Sequence, residues 1–189
     1  MMHLGVAIFG LLLAAAPQPT PVGQPVPDFT VRDEMGTEHR LSQYRGHAVV
    51  LEWTNPDCPF VARHYEADTM EKLAKALGAK DVVWLAVNST HSNTPADTKA
   101  WKAEQGFAYA TLQDPDGTLG HQLGARTTPH IFVIDAEGVL RYRGAIDDDP
   151  NGDSAKPVNY ADASVKALLA SSTPDPSDTK PYGCSVKYK

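Results

Sequence analysis

Two uninterrupted apolar runs restrict this chain more than any other feature. Ala48-Val49-Val50-Leu51-Glu52-Trp53-Thr54 and Val82-Val83-Trp84-Leu85-Ala86-Val87 read as strands buried on both faces, and the second lies parallel to the first. Between them the period changes. Phe60, His64, Ala67, Met70, Leu73 and Leu77 recur at three- and four-residue steps, which predicts one helix from Pro59 to Leu77, stopped by Gly78. Strands of this kind need cover on both sides. The expected fold is therefore α/β, with helices packed around a central mixed sheet.

The remaining segments extend this plan. Phe29–Val31 and His39–Leu41 read as short strands around the turn Asp33-Glu34-Met35-Gly36, an N-terminal strand extension. Thr94-Pro95 offers a cap followed by proline in the first turn, with helix continuing to Glu104. Ala108–Leu112 is a weaker strand, and Thr118–Leu123 a short helix ending at Gly124. Ile131–Asp135 and Val139–Tyr142 flank Ala136-Glu137-Gly138 as a hairpin, and Tyr160–Ala170 forms the last helix. The length of 189 residues suits one domain, residues 28–170.

Both ends read as accessories to that domain. Leu4–Ala16 is apolar, too short to cross a membrane, and ends in small residues, as an export signal does. Residues 1–16 are therefore expected to act as a signal peptide or a retained N-terminal anchor. The expected location is periplasmic or extracellular, with membrane contact only if the segment is retained. Residues 17–27, with five prolines, read as an extended linker, and residues 171–189 as an extended polar tail. The net charge of −6 and the scattered basic residues argue against a nucleic-acid partner.

The chain has two cysteines, Cys58 and Cys184. Cys58 lies in Asn55-Pro56-Asp57-Cys58-Pro59, between a strand and a helix start, where backbone amides and the helix dipole favour a thiolate. A buried, inert cysteine is the alternative, and Asp57 opposes the thiolate by its charge. Glu52, within a strand, must be paired, protonated or at a wet strand end. His64 and His130 read by default as partly exposed histidines satisfied by backbone. No zinc-ligand spacing is present, and no metal or cofactor is expected. Asp147-Asp148-Asp149-Pro150-Asn151-Gly152 resembles the start of a calcium loop, but Val158 stands where the bidentate glutamate belongs, so a solvated acidic turn is expected.

Three stretches carry a resemblance to a known group: residues 53–61, Thr127-Thr128-Pro129-His130-Ile131-Phe132-Val133-Ile134-Asp135, and Tyr142-Arg143-Gly144-Ala145-Ile146-Asp147. Over roughly residues 25–170 the chain resembles the exported redoxins of the thioredoxin-like and peroxiredoxin-like superfamily. The resemblance implies that Cys58 is the attacking cysteine, with Val61 in place of the second cysteine of Cys-x-x-Cys. It implies a cis-proline at Pro129, with Thr128 presenting backbone to substrate and His130, Trp53 and Pro59 at the docking surface. Glu52 matches a buried proton-transfer acid. The implied activity is thiol–disulfide exchange on a protein disulfide or small thiol, with an external thiol reductant and Cys184 as resolving thiol. Peroxide reduction and a non-catalytic module with a structural Cys58–Cys184 disulfide are the alternatives. The peroxidase pattern is weaker, because Leu51 and Asn55 stand where proline and Thr or Ser belong.

Overall fold

In the computed structural model, residues 18–189 are described, so the proposed signal segment lies outside the described residues. The first element is an antiparallel hairpin, β1 (Thr30–Arg32) with β2 (Glu38–Arg40). Asp33 closes its turn by accepting from the amides of Met35 (2.9 Å) and Thr37 (2.8 Å). A short 3-10 turn, Leu41–Tyr44, leads to β3 (Val49–Trp53), which is buried throughout.

Next come α1 (Pro59–Glu66) and α2 (Thr69–Gly78), where one continuous helix was expected. The break lies at Asp68, whose φ of 53° is left-handed, a conformation short polar side chains tolerate. The new direction brings Met70 and Leu77 fully into the core.

β4 (Val83–Asn88), α3 (Pro95–Gln105), β5 (Thr111–Gln113) and α4 (Thr118–Leu123) follow. Thr94 caps α3 reciprocally with Asp97, as its sequence signature predicts. The two-residue strand β6 (Thr127–Thr128), the hairpin β7 (His130–Ile134) and β8 (Leu140–Gly144), α5 (Tyr160–Leu169) and β9 (Cys184–Ser185) complete the chain.

The main sheet has the order β5-β4-β3-β7-β8. β3 runs parallel to β4 and antiparallel to β7. The strand pleat sends alternate residues to opposite faces. Val49, Leu51 and Trp53 join Phe132, Leu119 and Leu123 on one side, with Val26 and Phe29 from the N-terminal segment. Val50 joins Val61, Tyr65, Met70, Ala161 and Val165 on the other, beneath α1, α2 and α5.

The two accessory ends are docked rather than free. In the proline-rich stretch, the Thr20 amide donates to the Gln122 carbonyl (2.9 Å) and Gly23 to Leu140 (2.7 Å), and Val26 is buried. The tail runs beside β8, where the Arg143 amide donates to Ser177 (3.2 Å) and Thr179 to Arg143 (3.1 Å). It then pairs β9 antiparallel with β6. The physical reason is common to both segments: each satisfies a sheet or loop edge that would otherwise present bare amides and carbonyls. No described helix is long and apolar enough to cross a membrane.

Candidate active site

The turn between β3 and α1 is organised by Asn55. Its side-chain oxygen accepts from the Asp57 amide (3.0 Å) and its carbonyl from the Cys58 amide (3.1 Å). Cys58 is the N-cap of α1, with extended backbone and Pro59 in the first turn. Proline is suited to that turn because its missing N–H has no helical acceptor to lose. Asp57 and Pro59 are exposed, whereas Cys58 is only 1% exposed.

Two further segments enclose the sulfur. The Thr128–Pro129 peptide is cis, and the Cys58 thiol donates to the Thr128 carbonyl at 2.9 Å. Across β6, Cys184 stands in register opposite Thr128. This places the Cys184 thiol and amide beside Cys58, where both favour its thiolate. The strand, the helix N-terminus, the cis-proline loop and the tail thus converge on one pair of thiols.

Their electrostatics are unequal. Burial disfavours the Cys58 thiolate, but hydrogen bonds from Thr128, from the Cys184 thiol and amide, and from the Val61 amide outweigh it. The Cys58 pKa therefore falls below the ordinary thiol value. The buried Thr128 hydroxyl has no hydrogen-bond partner while Cys58 is a thiol, which leaves it available to the anion. Cys184 is pushed up to about 11, first by burial and then by its hydrogen bond to, and repulsion from, Cys58. Cys58 is the thiol that ionises first.

Glu52 is fully buried among neutral donors. Tyr65 donates to Oε1 (2.9 Å), and Trp84 (2.9 Å) and Tyr109 (3.2 Å) to Oε2. Burial raises its pKa to about 7, against the lowering effect of those three hydrogen bonds. The sheet pleat places Glu52 on the α1 face with Val50, and its three hydrogen bonds go to Tyr65, Trp84 and Tyr109 rather than to the thiols.

Two residues expected at the docking surface are elsewhere. Trp53 is 0% exposed, with its indole N–H donating to Ser89 (3.0 Å) in the opposite core. His130 is also buried, accepts from the Arg126 amide (3.2 Å) and packs on Phe132 at 4.4 Å. Burial, reinforced by Arg126 and Arg143, lowers its pKa to about 3, so it is neutral. Both side chains follow the pleat to the side away from α1, which their nearness in sequence to Cys58 and Pro129 conceals.

Two more expectations change. His64 is not partly exposed and satisfied by backbone; it is buried and bonded to the Tyr182 hydroxyl at 3.0 Å. Asp147 is not a solvated turn residue; it is buried and accepts from the same hydroxyl at 2.5 Å. Sequence reasoning passed over Tyr182. The signal available was an aromatic residue two positions before the second cysteine, with glycine between. Among the described residues no group of three His, Cys, Asp or Glu side chains is placed to hold a metal.

A five-stranded mixed sheet with a helix N-terminal cysteine facing a cis-proline defines a thioredoxin-like protein of the redoxin type. The AhpC/TSA family model matches residues 22–143, and the chain belongs to that family. The match ends before the segment that carries Cys184.

Among curated proteins, the chain is 33% identical over 156 residues to the "Thiol:disulfide interchange protein DsbE" of Pseudomonas fluorescens biotype C, covering 78% of this chain and 83% of that one. It is 31% identical over 125 residues to the protein of the same name from Vibrio cholerae, covering 65% of this chain and 64% of that one. Among solved structures, an uncharacterized conserved protein from Geobacillus kaustophilus superposes with a TM-score of 0.79 at 28% identity, over 89% of this chain and 93% of that one.

Proposed function

We propose that the protein is a thiol–disulfide oxidoreductase in which Cys58 attacks and Cys184 resolves. The observation that carries this reading is the convergence of both cysteines on Thr128 at the cis-proline loop, with Cys58 held as the more acidic of the pair. The name of the curated relatives, thiol:disulfide interchange protein, supports the same chemistry.

The Cys58 thiolate attacks one sulfur of a substrate disulfide. A bond to Cys58 forms, the substrate S–S bond breaks, and the leaving thiolate takes a proton from solvent. Conversion of Cys58 to a mixed disulfide removes the charge that raises the Cys184 pKa. Cys184 then ionises more readily, attacks the Cys58 sulfur and releases the second substrate thiolate. Two electrons have passed to the substrate, and an external thiol reductant restores the protein dithiol.

Thr128, Pro129 and Pro59 form the docking rim in this reading. Because β9 covers the backbone of Thr127 and Thr128, an external disulfide reaches Cys58 when that strand is displaced. Glu52, with a pKa of about 7, is suited to storing a proton beneath α1. The redox unit is residues 28–170 with the tail supplying Cys184, and the apolar segment Leu4–Ala16 suits export to an oxidising compartment.

Peroxide reduction is less supported, because Arg63, the arginine of α1, is engaged by the carbonyls of Asp149 (2.9 Å) and Pro150 (3.0 Å) rather than by the thiol.

The test oxidises the reduced full chain with a protein disulfide and maps its peptides without reduction. A Cys58–Cys184 crosslink and loss of turnover in Cys58→Ser are expected. Wild-type turnover in Cys58→Ser, or two free thiols after oxidation, defeats the reading.

A further inference from the structure

We propose that Tyr182 is a positioning residue for the resolving step, a latch that fixes Cys184 against Cys58 by tying the tail to the helix that carries the attacking thiol. The proposal rests on the disulfide-exchange reading above and deepens it.

The latch is built from three directions. The Tyr182 hydroxyl donates to the Asp147 carboxylate at 2.5 Å. Nε2 of His64 lies 3.0 Å from the same oxygen, and the Arg63 guanidinium donates to it at 3.3 Å. The ring packs against Phe60 with centroids 6.0 Å apart, and the Arg63 guanidinium lies 5.8 Å from the ring centroid. Phe60, Arg63 and His64 all belong to α1. The helix that holds Cys58 at its N-cap therefore also holds the anchor of the tail one to two turns further on.

The distance along the tail from anchor to thiol is minimal. Gly183 alone separates Tyr182 from Cys184, with φ of 125°. A Cβ there would collide with the Thr128 carbonyl, so the backbone passes directly over the cis-proline loop. Cys184 then falls into register with Thr128. Both sulfurs are referred to one rigid helix through a single glycine, and holding reactants in this way is what raises the rate of an intramolecular attack.

The site would otherwise have a weakness. A two-residue strand such as β9 holds its register poorly by itself, and a tail free to swing leaves a mixed disulfide on Cys58 unresolved. A charge-assisted hydrogen bond two residues away supplies the missing constraint.

The experiment separates the two chemical steps. Reduced full-length protein is mixed with oxidised glutathione, quenched with acid at intervals, and the species are counted by intact mass. In a Cys184→Ser background only the first step occurs: Cys58 takes one glutathione and releases the other as thiolate. With both cysteines present, Cys184 displaces the second glutathione and the internal disulfide forms.

Tyr182→Phe, which keeps the ring and removes the hydroxyl, is expected to leave the first step as fast or faster. Resolution should slow about tenfold, the scale of one strong hydrogen bond, so that glutathionylated protein accumulates. Asp147→Asn, which removes the charged acceptor, should shift resolution the same way. A general structural role would slow both steps together and overturns the proposal, as does Tyr182→Phe resolving at the wild-type rate. Absence of any glutathione adduct in the Cys184→Ser protein strikes the attacking role of Cys58 itself, and the latch falls with it.

Discussion

A buried carboxyl group whose hydrogen-bond donors are all neutral carries a pH signature, and Glu52 is such a group. Its pKa rises from an ordinary 4.5 to about 7. For an acid raised on folding, the native state binds the extra proton between those values. The stabilisation is complete below about pH 4.5 and is lost as pH rises through 7, a change on the order of 3 kcal/mol if the shift is fully realised. In Glu52→Gln the new side chain can keep the geometry, with its oxygen accepting from Trp84 and its amide donating to the Tyr65 oxygen. The substitution is therefore expected to flatten the stability profile between pH 5 and 8, measured by urea unfolding. A wild-type profile already flat there would place a counter-charge beside Glu52 that the hydrogen-bond pattern does not contain. The thiol pair carries its own residue-scale prediction. Both the Cys184 thiol and its amide act to lower the Cys58 pKa. Cys184→Ala should raise the pKa of Cys58 alkylation, while Cys184→Ser, which keeps a donor, should raise it less. Wild-type values in both variants would assign the effect to the amide alone.

At the level of elements, the least replaceable contact is the crossing of the tail over the cis-proline loop. Gly183→Ala adds a methyl where the Thr128 carbonyl already stands and where a positive φ disfavours any side chain. The expected result is loss of β6–β9 pairing. Cys184 should be alkylated several-fold faster than in the wild type, with global stability lowered by about 1 kcal/mol or more. Unchanged reactivity of Cys184 would mean that the tail is held without that crossing. Elements of this kind explain what was legible beforehand. β3, β4, α3, α4 and the β7–β8 hairpin could be read because each announces itself within its own residues, by an apolar run, a cap or a turn. The division of the helix at Asp68 could not, since the left-handed turn serves the burial of Met70 and Leu77 rather than any local breaker. β6 and β9 are two residues each, defined only by one another across the fold. The resemblance put Trp53 and His130 at the docking surface, but strand alternation turns Trp53 to the same face as Leu51, away from α1.

Across the whole molecule, the tail joins parts of the fold that are distant in the chain. It is fastened along β8 at Ser177 and Thr179, at Tyr182, at Cys184 and Val186 beside β6, and at Tyr188, whose hydroxyl donates to Ala125 at 2.9 Å. Those fastenings exist with both cysteines as thiols. The chain thus meets most of the ordering cost of bringing Cys184 to Cys58 when it folds, before any disulfide forms. A Cys58–Cys184 bond would then act chiefly on the unfolded chain. Closing a loop of that size removes about 4–5 kcal/mol of unfolded-state entropy in the simplest treatment, less where bonding strains the site. Oxidised protein should therefore unfold at higher urea than reduced protein by up to that amount, with a smaller slope because the crosslinked unfolded chain exposes less surface. Cys184→Ser should match the reduced form under both conditions. By linkage, whatever stability the oxidised form gains over the reduced one also makes the disulfide harder to reduce. A gain near the full loop-closure value describes a durable structural bond. A gain of about 1–2 kcal/mol describes a pair held ready to exchange, at a potential that shifts by about 30 mV for each 1.4 kcal/mol. The disulfide-exchange reading therefore requires that strain at the bonded site hold the gain to the smaller value, and parallel urea titrations of the oxidised and reduced full chain measure it directly.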